Sequence, residues 1–165
     1  MKTSAQLGRY LKMGEGIERK GINFYSNAYK RVIDPNSKGL LKFLIAEEKG
    51  HLAYFLYLEK KHKAGAKLAK LKKLKNPVFR KDVYKRIKGK KAANINIFET
   101  ALDIEVKSIR LYMKLSRKVK ERQLKRFLVM LAGREKNHYR LIRQHKDAIY
   151  NFLYWQGLRQ GRIET

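Results

Sequence analysis

No cysteine occurs anywhere in the 165 residues. Disulfides, thiol redox chemistry, cysteine-ligated zinc and cysteine-held iron–sulfur centres are therefore all excluded. Any metal must be held by carboxylates and imidazoles. There are only two prolines, so long stretches are free of the residue that most strongly interrupts a helix. No uninterrupted apolar run approaches the ~20 residues of a membrane span, and the opening stretch MKTSAQLGRYLKMGEG has no apolar signal core. The expectation is an intracellular, cytoplasmic protein.

Acids are few, 14 Asp and Glu against 41 Lys and Arg, a formal charge of +27. The excess is uneven: residues 60–91 hold fifteen Lys or Arg against one acid, Asp82. Such a field attracts nucleic acid, anionic lipid or acidic proteins. No zinc finger or P-loop accompanies it, so a nucleic-acid contact here would be nonspecific and made to phosphates, with Phe79 and Tyr84 available for stacking.

The apolar share of 44% favours a folded globular chain, and its helical spacing points to an all-α protein. Four amphipathic segments are legible, at about Ala5 to Val32, Lys38 to Leu68, Asn94 to Lys118 and Glu121 to Tyr154. IDPNSKG separates the first two, with Asn36 or Ser37 available as the cap. Residues 69–93 contain Asn76, Pro77 and Gly89 and are too long for a tight hairpin. They read as a basic crossover inside a single domain spanning 1–165. Gly157 to Thr165 reads as a loosely attached end. Two helical pairs joined by a long crossover form a four-helix bundle of the kind that builds metal sites between helices.

An internal repeat indicates where such a site lies. At an offset of 87 residues, Glu18 falls on Glu105, Ile22 on Ile109, Tyr25 on Tyr112, Leu41 on Leu128, Glu48 on Glu135 and His51 on His138. Residues three apart share a helix face, so Glu48 with His51, and Glu135 with His138, can each meet one site. Glu18 and Glu105 add a carboxylate from a neighbouring helix. Four carboxylates and two imidazoles suit iron or manganese better than a soft thiolate-binding metal. The charge of four ionised carboxylates would offset two divalent ions. Without metal the same cluster is costly to bury.

Two nearby features read differently. Glu59 and His62 also spell ExxH, but their offset partners are Lys146 and Ile149, so they read as a solvated pair. Glu47 falls on Arg134 and reads as solvent-facing. Tyr25 and Tyr112, almost two turns beyond Glu18 and Glu105, can pack in the core, hydrogen-bond ligands or take part in electron transfer.

The ordered series E18-R-K-G-I-N-F-Y25, E48-K-G-H51, E105-V-K-S-I-R-L-Y112 and E135-K-N-H138 resembles the rubrerythrin-like branch of the ferritin-like diiron superfamily, over roughly Leu7 to Tyr150. The resemblance implies a ferritin-like bundle with two Fe ions per site, a manganese/iron pair being the alternative. It makes Glu18 and Glu105 terminal ligands, Glu48 and Glu135 bridging ligands, and gives His51 and His138 one metal each. It also implies ferroxidase or peroxidase chemistry with dioxygen or hydrogen peroxide, and candidate catalytic roles for Tyr25 and Tyr112.

Two departures separate this chain from full rubrerythrins. It has no cysteine for the usual electron-delivering iron domain, so the electron donor is unknown, and Ser108 stands where an additional glutamate tends to follow. Competing readings are a basic nucleic-acid-associated helical binding protein, with contact through the crossover, and an iron-storage protein. A homodimer is the expected assembly.

Overall fold

The computed structural model describes residues 2–65 and 95–159 of the chain. They form four helices: α1 Lys2–Arg31, α2 Pro35–Lys63, α3 Ile95–Lys118 and α4 Arg122–Arg159. The expected crossover, 69–93, lies outside the described residues, as do Leu68 and the segment 160–165.

The α1–α2 turn is set by Asp34, not by Asn36 or Ser37. The Asp34 carboxylate accepts the backbone N–H of Ser37 at 2.6 Å, and Pro35 occupies the first turn of α2. Proline has no N–H to lose there and its fixed φ suits the first turn, so the helix starts three residues earlier than the expected Lys38. The far end of α2 closes at Ala64, followed by Gly65 at φ 66°, the left-handed conformation that glycine adopts at little cost. Helix α4 runs through Gly157 to Arg159, past the expected limit at Tyr154. One glycine costs a helix only ~1 kcal/mol relative to alanine, too little to end it.

Helix α1 packs along α2 and α3 along α4; the two pairs meet through α1 against α3 and α2 against α4. The core has two apolar layers. One contains Leu11, Phe55, Leu58, Tyr112, Leu115, Leu124, Phe127 and Leu131. The other contains Tyr25, Val32, Leu40, Leu41, Leu44, Phe98, Ala101 and Ile142. On every helix the repeated Glu and His positions fall between residues of these two layers, so the bundle encloses a polar stratum between apolar ones. Gly14 permits close packing in the first layer, because a Cβ there would lie 2.3 Å from the Phe55 ring. Among the described residues, no helix is long and apolar enough to cross a membrane.

Candidate metal centre

Glu18 projects from α1, Glu48 and His51 from α2, Glu105 from α3, and Glu135 and His138 from α4. None of the six is more than 4% exposed. Their donor atoms form two overlapping groups, Glu18–Glu48–His51–Glu135 and Glu48–Glu105–Glu135–His138, with the atoms of each group all within 4.8 Å of one another. Glu48 and Glu135 belong to both groups, and their carboxylates are the ones that could be shared between two ions.

Nδ1 of His51 lies 3.1 Å from Glu48, 3.2 Å from Glu135 and 3.6 Å from Glu18. Nδ1 of His138 lies 2.9 Å from Glu135, 3.2 Å from Glu48 and 3.8 Å from Glu105. A ring nitrogen carries at most one proton and cannot donate well to three carboxylates at once. A cation between them can bind them all. Glu135 Oε1 and His138 Nε2 are buried without a hydrogen-bond partner, so hydrogen bonds within the protein leave the cluster incompletely satisfied. The donor set and its geometry therefore fit metal.

The protonation pattern agrees with that fit. Burial, reinforced by the charge of Glu48, raises Glu18 well above the usual carboxylate range. Burial, with Glu135 and Glu48, does the same to Glu105. Burial also works against ionisation of Glu48 and Glu135, but hydrogen bonds and charge from His138 and His51 outweigh it and hold both below the usual range. For His51 and His138 burial opposes the charged form, yet the surrounding carboxylates raise both well above the ordinary imidazole value. Protons are thus favoured on Glu18, Glu105, His51 and His138 and disfavoured on Glu48 and Glu135. Two divalent ions carry the same charge as the four protons those positions can hold.

The two tyrosines reach across the repeat. Tyr25 on α1 donates its hydroxyl to Glu105 Oε1 on α3, and Tyr112 on α3 donates to Glu18 Oε1 on α1. Both rings are fully buried, and burial together with the neighbouring carboxylates pushes both phenols well above their usual range. Core packing and hydrogen bonding to the glutamates thus occur together.

Glu47 is not solvent-facing. It is 9% exposed, with Oε2 at 3.2 Å from Arg134 Nη1 and 3.7 Å from His138 Nε2. A signal was present in the sequence: Glu47 and Arg134 are repeat equivalents of opposite charge. Another pair of repeat equivalents also meets here, His51 and His138, with ring centroids 5.7 Å apart. Glu59 instead pairs with Lys12 at 3.2 Å and Lys63 at 3.1 Å, away from the centre and less freely solvated than expected. Sequence reasoning also missed the buried His145, whose Nε2 lies 2.8 Å from Ser37 Oγ. A lone histidine without a repeat mate carries no signal for that contact.

An all-α bundle of ferritin-like type with a buried glutamate–histidine cluster able to hold metal defines the class. The rubrerythrin family model matches residues 9–146, and the chain belongs to that family, whose members typically bind metal ions. Among solved structures, a hypothetical protein from Pyrococcus furiosus is similar at 22% identity and a TM-score of 0.66, over 88% of this chain and 91% of that one. That likeness establishes the fold. No curated protein matches the sequence.

Proposed function

We propose that this protein is a non-haem diiron oxidoreductase that reacts with dioxygen or hydrogen peroxide, with ferroxidase or peroxidase-type activity. The observation that carries the reading is the pair of donor groups sharing Glu48 and Glu135. Two irons held there would supply two electrons to an oxygen substrate.

The protein's part is to bind, orient and exclude water. Glu18 with His51, and Glu105 with His138, would each serve one ion, while Glu48 and Glu135 would span both. Tyr112 and Tyr25 restrain the outer carboxylates through their hydroxyl protons, holding Glu18 and Glu105 in one orientation. The apolar layers above and below keep the site dry and favour a small oxidant over a bulky organic substrate. Turnover requires electrons from outside the chain, either Fe(II) itself or a reduced partner, because no cysteine is available for an iron centre of the rubredoxin type.

The test is metal analysis of protein produced with iron, beside a His51→Ala/His138→Ala variant. Near two irons per parent chain, lost in the variant, with oxygen or peroxide consumption dependent on that iron, is the expected result. A parent that stays metal-free after anaerobic Fe(II) reconstitution would overturn the reading.

A further inference from the structure

Glu47 is not among the six repeated positions, and its carboxylate approaches the nitrogen of His138 that does not face the clustered carboxylates. Nδ1 of His138 faces Glu135, Glu48 and Glu105. Nε2, the other ring nitrogen, is buried, has no hydrogen-bond partner, and lies 3.7 Å from Glu47 Oε2. An imidazole that presents its Nδ1 lone pair to a cation carries its proton on Nε2. Glu47 is the acid placed to accept that proton's hydrogen bond, and a small side-chain rotation would bring the pair to the ordinary ~2.9 Å.

The internal repeat makes this arrangement one-sided. The position equivalent to Glu47 is Arg134, since 134 − 47 = 87. A guanidinium only donates, so the repeat supplies no matching acceptor behind His51. The two residues also pair with each other at 3.2 Å, a contact between α2 and α4.

Building on the diiron reading above, we propose that Glu47 is a positioning residue that selects the Nδ1-binding tautomer of His138 and makes that ring the stronger ligand. The two metal positions are therefore unequal, and the one served by Glu105 and His138 fills first. Carboxylates behind metal-bound histidines commonly change metal affinity by about 10–100-fold, and that is the expected separation between the two steps.

The experiment is anaerobic calorimetric titration of the full metal-free chain with Co(II), read together with the hyperfine-shifted imidazole N–H resonances of the loaded protein. The native chain should bind two ions in resolved steps, with the His138 N–H exchanging more slowly with solvent than that of His51. Glu47→Gln should weaken the first step by ~10-fold or more, leave the second unchanged and speed exchange of the His138 N–H. Arg134→Gln removes the ion pair but keeps the acceptor, so its first step should remain at least as tight. This second variant keeps the proposal testable if Glu47→Gln does not fold. If Arg134→Gln weakens the first step as much as Glu47→Gln, the pair merely braces the helices and the proposal fails. Two ions bound alike in the native chain and in Glu47→Gln overturn the role of Glu47 while the metal reading stands. No Co(II) bound at all removes the metal reading and this proposal with it.

Discussion

Tyr25 gives its hydroxyl proton to Glu105, a carboxylate 80 residues away in the other half of the repeat. Tyr112 returns the relationship to Glu18. Each half thus restrains the outer carboxylate of the other, and the polar stratum is tied together across the α1–α3 contact.

Tyr25→Phe and Tyr112→Phe each remove a donor and leave a buried glutamate oxygen short of a partner. The expected loss is about 1–3 kcal/mol of metal-free stability per substitution, with the helical content retained. Urea unfolding followed by far-ultraviolet circular dichroism measures it. Losses within experimental error would show that these hydroxyls do not restrain the glutamates.

Metal loading should release protons. Glu18, Glu105, His51 and His138 hold theirs above the ordinary ranges in the metal-free cluster, so filling both positions should liberate protons that these four groups retain. Calorimetry in buffers of different ionisation enthalpy counts them. Release of none would contradict the protonation pattern.

The same shifts set the pH dependence of the metal-free fold. A histidine whose folded-state pKa is raised contributes stability that is present below its unfolded value, about 6.5, and is lost as pH rises through the folded value. Glu18 and Glu105 act in the same direction, because their folded forms retain protons that the unfolded chain releases above about pH 4.3. Glu48 and Glu135, held low, contribute in the opposite sense and lose their contribution in acid. His145, lowered by burial, adds to acid lability below about pH 6.5. Melting temperatures of metal-free protein should fall from neutral toward alkaline pH, and bound metal should flatten the decline. An unchanged melting temperature across that range would refute the assignment.

Gly14→Ala places a methyl 2.3 Å from the Phe55 ring. Overpacking of this kind costs about 1–3 kcal/mol, against the ~1 kcal/mol that alanine contributes to a helix relative to glycine. Net destabilisation is expected, and Phe55→Leu in the same chain should recover part of it beyond additivity. Additive effects in a double-mutant cycle would show that the contact does not set the packing.

The charge of +27 predicts binding to nucleic acid at low salt that weakens steeply as salt is added. His51→Ala/His138→Ala should leave that affinity unchanged while abolishing metal binding. Filter binding across a salt series separates the two properties, and a matching loss of both would join them in one site.

Much of the architecture was legible because its determinants are local. Helical spacing, the near absence of proline and the ExxH repeat mark four helices and place Glu48 with His51, and Glu135 with His138, on common faces whatever the helices pack against. The offset of 87 adds Glu18, Glu105 and both tyrosines. What only the tertiary structure decided are the contacts between elements: which glutamate each tyrosine reaches, the burial of Glu47 against Arg134 and His138, and the meeting of His145 with Ser37. A period along one helix specifies a face, not its partner. The partner is settled when two apolar layers close around the acids and leave them only the enclosed histidines and tyrosines, one another, or a cation, to face.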